Sequence, residues 1–151
     1  MVMLISVQPK GEITVEKILV VEDDTIIALT IQSRLKQFGY EVVGRASNGE
    51  DAIKKVKELH PDLVLMDIHI KGPTDGIQTA EMVYGIYNVP VVYLTAYSDE
   101  NTLERAQKTS PFGYVVKPFN DETLRTTIKM ALLKSRSDKE KERLVTFAPS
   151  D

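Results

Sequence analysis

Along most of this chain, short continuous apolar runs alternate with longer stretches whose apolar residues recur every three or four positions. The runs are KILVV (17–21), EVVGRA (41–46), DLVLM (62–66), PVVYLT (90–95) and FGYVV (112–116). Unbroken Val/Leu/Ile runs of this length suit strands covered on both faces, as in a parallel sheet. Pro90 is compatible with this because it opens its run and needs no ladder hydrogen bond there.

The intervening stretches carry helical stripes. Ile27, Ile31, Leu35 and Phe38 fall on one face, Asp24 is placed as the N-cap, and Gly39 is placed to end the helix. Ala52, Ile53, Val56 and Leu59 form a second stripe, between a cap at Asn48 and the helix-stopping Pro61. Asp75 is positioned to cap a third helix bearing Ile77, Ala80 and Val83. Ser98 would cap a fourth with Leu103 and Ala106, and Asn120 a fifth with Leu124, Ile128 and Ala131. Five strands alternating with five helices predict an α/β fold, a doubly wound parallel sheet between two helical layers, with right-handed crossovers.

Residues 1–16 and 135–151 fall outside the alternation and read as an N-terminal extension and a charged helical extension with a tail, around a domain at 17–134. KSRSDKEKERL (134–144) mixes both charge signs with almost no apolar stripe, as a solvated helix does. Too little chain follows the fifth helix for a separate output domain, so none is expected.

Composition removes several function classes. The chain of 151 residues has no cysteine, which excludes disulfides and thiolate-bound metals, and its two histidines, His60 and His69, stand apart. The formal net charge of −3 gives no global attraction to nucleic acid, so direct nucleic-acid binding is not expected. No apolar run approaches the ~18–20 residues of a membrane helix, and MVMLISV lacks a basic flank and a cleavage site. The expectation is a cytoplasmic protein with no membrane insertion.

What composition leaves is a set of polar residues at the carboxyl ends of the strands, where open parallel sheets bind ligands. The first strand runs into Glu22, Asp23 and Asp24, the third into Asp67, the fourth into Thr95 and Ala96, the fifth into Lys117 and Pro118. Taken singly, a cap, a surface lysine and a strand-end threonine are unremarkable. Their convergence on one rim from four strands is not. Two carboxylates ~4 Å apart repel by about 4 kcal/mol at an effective dielectric of 20, so Glu22, Asp23 and Asp67 together call for a cation. An oxygen-only cluster suits Mg²⁺, with Mn²⁺ as a substitute. A cation beside an ammonium and a hydroxyl is equipment for phosphoryl transfer, with Asp67 as the nucleophile and Lys117 and Thr95 holding phosphoryl oxygens.

In ILVVEDD, DLVLMDI, DGI, VVYLTAY and FGYVVKPF, in this order, the chain resembles the receiver domain of two-component response regulators. The resemblance covers about residues 17–134. It implies the flavodoxin-like, CheY-like sheet order 2-1-3-4-5. It also implies that Glu22 and Asp23 are the acidic pair and that Asp67 is the aspartate phosphorylated by a sensor histidine kinase or phosphotransfer protein. Thr95 and Tyr114 become the switch pair, Lys117 the conserved-type lysine, and the backbone carbonyl of His69 a metal ligand beside Glu22, Asp23 and Asp67. His69 and Tyr97 flank the approach of water to the phosphoryl group and would tune its lifetime. The Lys117–Pro118 bond would be cis. A phosphorylation-controlled switch acting on a downstream protein is implied, with a homodimer through the fourth helix, fifth strand and fifth helix as one arrangement. It would be an autocatalytic phosphoacceptor with slow self-dephosphorylation and not an enzyme in the ordinary sense.

Other occupants of a similar sheet fit less well. An FMN carrier needs a Gly/Ser/Thr-rich loop after the first strand, where EDDT would repel a phosphate. A phosphatase of the haloacid dehalogenase type needs a second aspartate two residues after the nucleophile, where His69 stands. A degenerate receiver used only for binding would not need the full set of acids, threonine and lysine. The loop DIHIKGPTDGI is one residue longer than the commoner receiver loop, which leaves its shape open.

Overall fold

The structure is a computed structural model describing residues 5–7, 13–96 and 100–146. A short antiparallel pair, β1 (Ile5–Val7) and β2 (Ile13–Val15), precedes the main domain. Then follow β3 (Lys17–Val21), α1 (Thr25–Gln37), β4 (Glu41–Ala46), α2 (Gly49–Leu59), β5 (Leu63–Asp67), α3 (Gly76–Tyr87), β6 (Val91–Thr95), α4 (Glu100–Gln107), β7 (Gly113–Val116) and α5 (Asp121–Thr146). The five-stranded sheet is parallel and ordered β4-β3-β5-β6-β7, which is 2-1-3-4-5 counted within the domain.

Strand alternation divides the core in two. Leu19, Val21, Val64, Met66, Val91 and Tyr93 pack with α2, α3 and Ala106 of α4 on one face. Ile18, Val20, Leu63, Leu65, Val92, Leu94 and Val115 pack with α1 and α5 on the other. Each fully buried aliphatic side chain contributes about 1.5–3 kcal/mol of transfer free energy, and both faces of β5 and β6 are buried throughout.

The expected punctuation is in place. Asp24 accepts the Ile26 and Ile27 N–H groups and starts α1. Gly39, at φ 95°, follows the end of α1. Its N–H reaches the Lys36 carbonyl and that of Tyr40 the Leu35 carbonyl, so two orphan carbonyls are satisfied. Asn48 caps α2, which ends at Leu59 before Pro61. Asp75 and Gln78 cap α3 reciprocally, and Asn120 accepts the Thr123 N–H at the start of α5. The cap expected at Ser98 lies outside the described residues.

Four strand boundaries differ by one residue from the sequence expectation: β5 starts at Leu63 and ends at Asp67, β6 starts at Val91 and β7 at Gly113. At the start of β5, the Asp62 N–H donates to the Lys17 carbonyl at 2.8 Å, while the Asp62 side chain accepts the Lys17 N–H at 2.7 Å. The pairing of β1 with β2 was not anticipated. Helix α5 runs without a break through residues 134 and 135, and Arg136 lies 3.4 Å from Glu16.

Candidate functional site

β3 and β5 are neighbours, so their carboxyl ends bring Glu22, Asp23 and Asp67 together, with one carboxylate oxygen of each within 4.8 Å of the others. Glu22 is fully buried and Asp67 nearly so, at 0% and 6% exposure. Lys117 arrives from the end of β7. Its Nζ donates to Glu22 Oε1 at 2.7 Å and to Asp67 Oδ2 at 3.4 Å. The lysine backbone is held by its own N–H, which donates to the Thr95 carbonyl at 2.8 Å, and Lys117–Pro118 is cis.

Burial and crowding set the charge states. Burial, then contact with the Asp67 carboxylate, pushes the Glu22 carboxyl up to about 7 against the opposing pull of Lys117. Burial alone would raise Asp67 too, but its contact with Glu22, the backbone N–H of His69 at 3.0 Å and the Lys117 ammonium outweigh it and hold Asp67 below its ordinary value. Lys117, which burial would lower, is instead raised by Glu22 and Asp67. Of the two carboxyls, Asp67 is thus the one held toward its ionised form.

The donor set fits a hard divalent cation. Among the described residues, Glu22 Oε2 is the one buried side-chain oxygen with no hydrogen-bond partner. Leaving such an acceptor unmatched costs about 1–3 kcal/mol, and three carboxylates at this spacing, when all are ionised, repel by about 3.5 kcal/mol per pair at an effective dielectric of 20. A bound cation relieves both. His69 itself is exposed at the rim, with its N–H on Asp67 Oδ1.

Thr95 is buried at the end of β6, and its hydroxyl donates to the Ala96 carbonyl at 2.8 Å. Tyr114 on β7 is partly exposed, its ring 5.9 Å from the buried ring of Tyr93. The Tyr93 hydroxyl lies 2.6 Å from Thr109 Oγ1, whose proton goes to the Ala106 carbonyl, so Tyr93 is the donor. Tyr97 lies outside the described residues.

Two site features escaped sequence reasoning. Gly76 packs so closely under β5 that a Cβ there would collide with the Asp67 carbonyl oxygen and Ile68 Cα. Its N–H donates to the Ile68 carbonyl at 3.0 Å, closing the long loop that also buries Ile68 and Ile70. The glycine was visible in DGI, but the close approach that requires it was not. The second is Arg45, whose guanidinium spans the Glu22 and Asp23 carbonyls at 3.1 Å each. Alternation along EVVGRA gives no warning that this arginine turns toward the acidic turn.

The model of the response regulator receiver domain family matches residues 18–129. The chain belongs to that family. As a receiver it is 36% identical over 121 residues to the transcriptional regulatory protein PdtaR of Mycobacterium tuberculosis, covering 80% of this chain and 58% of that protein. It is 38% identical over 120 residues to the transcriptional regulatory protein ZraR of Klebsiella oxytoca, covering 79% and 27%. The receiver thus spans little more than half of the first relative and about a quarter of the second.

Among solved structures it is similar to the signal receiver domain of a modulated diguanylate cyclase from Desulfovibrio desulfuricans. That match has a TM-score of 0.79 and 36% identity and covers 83% of this chain and 99% of the other. It is similar also to the N-terminal domain of a response regulator/sensory box/GGDEF protein from Carboxydothermus hydrogenoformans, with a TM-score of 0.74 and 39% identity over 82% and 98%. Receivers are phosphoacceptor signalling domains that generally bind Mg²⁺ and work with histidine kinases or phosphotransfer proteins. Among the described residues, no helix is long and apolar enough to cross a membrane.

Proposed function

We propose that this receiver accepts a phosphoryl group on Asp67 from a histidine kinase or phosphotransfer protein and passes the change to a partner through the face around α4, β7 and α5. The observation that carries the reading is the pairing of the partly buried Lys117 ammonium with both buried carboxylates, Glu22 and Asp67. An Asp67 oxygen attacks the phosphorus of a phosphohistidine. A P–O bond forms as the P–N bond breaks, and the imidazole leaves with the electron pair. Lys117 holds one phosphoryl oxygen through its ammonium, and the Thr95 hydroxyl donates to another.

Glu22, Asp23, Asp67 and the His69 carbonyl would hold Mg²⁺, or Mn²⁺, which when bound neutralises charge on the transferring group. The exposed apolar residues Ile26 and Leu29 on α1, next to this rim, suit a docking partner. The receiver unit is read as 17–134, with 1–16 and 135–151 as additions to it.

For signalling, the Thr95 hydroxyl would leave the Ala96 carbonyl for the phosphoryl group, and the Tyr114 ring would turn inward over Tyr93 by population shift. One experiment addresses both steps. With Mg²⁺ and acetyl phosphate, intact mass should show one added phosphoryl group on the wild type and none on Asp67→Asn, and amide NMR shifts should reach α4 and β7. Equal labelling of the two proteins would refute the acceptor assignment. Shifts confined to the Asp67 rim would refute the Thr95–Tyr114 switch.

A further inference from the structure

Arg45 reaches the acidic turn because of a slip in strand pairing. Ile18 stands opposite Val42, but Leu19 stands opposite Gly44, so β4 has one more residue than β3 between these points. An extra residue inverts the facing of everything after it. Val42 packs with the α1–α5 layer and Val43 with the α2–α3 layer. A Cβ at Gly44 would meet Leu59 and Lys55 of α2, so residues 43 and 44 face the same way. Arg45 is thereby turned to the α1 face, beside Val20.

There the half-buried guanidinium donates from Nε to the Glu22 carbonyl and from Nη2 to the Asp23 carbonyl, each at 3.1 Å. The next residue of β4, Ala46, accepts the Glu22 N–H at 3.0 Å. The turn carrying two mutually repelling carboxylates is therefore pinned to β4 by three hydrogen bonds. Two of them come from one planar group that fixes successive peptide planes. A turn held this way keeps its carboxylates at cation-binding spacing when repulsion alone would spread them.

We propose that Arg45 is a positioning residue for the divalent cation at Glu22, Asp23 and Asp67, acting through its grip on the backbone of the acidic turn. It touches neither the cation nor the phosphoryl group. The proposal rests on the reading of this cluster as a cation site.

The test is Mn²⁺ affinity, read from the electron paramagnetic resonance of the free ion, for wild type, Arg45→Met and Arg45→Lys, with melting in EDTA to verify folding. Both variants should bind Mn²⁺ about tenfold more weakly, the loss expected when a group supporting a metal ligand is removed. Lysine keeps the charge, but a single ammonium cannot replace the fork. Labelling by acetyl phosphate should be slow in both variants at low Mg²⁺ and recover at saturating Mg²⁺. Wild-type affinity in either variant, or a labelling defect that saturating Mg²⁺ does not repair, would overturn the proposal. If the wild type binds no Mn²⁺, the cation-site reading falls and the role of Arg45 with it. Should Arg45→Met fail to fold, Arg45→Lys carries the test.

Discussion

The two halves of the sheet's carboxyl rim are built to different standards. Around Asp67, every participating segment is pinned. Asp24, Asn48 and Asp75 cap their helices with side-chain acceptors, Glu22 and Asp67 are buried, Arg45 grips the acidic turn, and Gly76 lies against the Asp67 carbonyl. Around Tyr114 fewer such constraints are found among the described residues. α4 has eight residues and buries only Ala106. The Tyr93–Thr109 bond anchors the end of α4, and an exposed ion pair of 2.9 Å from Arg105 to Asp75 is a further tie. Phosphoryl transfer requires groups fixed before the reaction, whereas signalling requires a segment whose equilibrium a modest free energy can move. Under the proposed function one sheet would serve both, since the tight and loose halves meet at β6, which ends in Thr95.

The largest effect should come from loosening the tight half. Gly76→Ala places a methyl group against the backbone of β5, which cannot withdraw without moving Asp67. The expected cost is about 3 kcal/mol of stability by urea denaturation, with phosphoryl labelling impaired in whatever folds. Wild-type stability in this variant would show that the loop yields and that the half is less rigid than described.

A smaller effect tests the electrostatics of the same half. Glu22 titrates at about 7 in the folded protein and ordinarily at 4.5. Between those values the native state retains a proton that the unfolded chain has lost, so metal-free stability should fall as pH rises across that window. Asp67 is shifted the other way, and its contribution changes only below its ordinary value of 3.8. In EDTA the melting temperature should decline from about pH 5 to about pH 8. Glu22→Gln should flatten the decline, and Mg²⁺ should raise melting most at the upper end, where the cluster is most charged. A pH-independent difference between wild type and Glu22→Gln would mean that Glu22 is ionised throughout.

The smallest effect is expected in the loose half. Arg105→Gln removes a solvent-exposed pair and should change stability by no more than about 0.5 kcal/mol. It should nevertheless quicken amide exchange in α4, whose described residues bury only Ala106. A loss as large as that of Gly76→Ala would erase the contrast between the halves.

Much of this organisation was legible in the linear chain. The apolar runs marked all five strands of the main sheet to within a residue, because a strand covered on both faces must be apolar throughout. The caps at Asp24, Asn48, Asp75 and Asn120 were readable because capping is a local hydrogen bond between a side chain and the next turn. The acids, threonine and lysine were identifiable because α/β topology places all strand ends on one rim. The antiparallel pair at the N-terminus was not legible, since two three-residue strands carry no periodicity to detect.

Tertiary structure alone decided what depends on register and close approach. The residue types dictated that Glu22, Asp23, Asp67 and Lys117 would share a rim. Only packing decided that Glu22 would be wholly buried with one oxygen unmatched, and that its carboxyl rather than Asp67's would take the upward shift. The bulge between Val42 and Gly44 shows the limit most directly. Alternation read along EVVGRA sends Arg45 toward α2, and one unpaired residue sends it toward α1 and the acidic turn. Side-chain direction in a strand is a parity, and a parity is set by pairing with a neighbour distant in the chain, not by the residues of the strand itself.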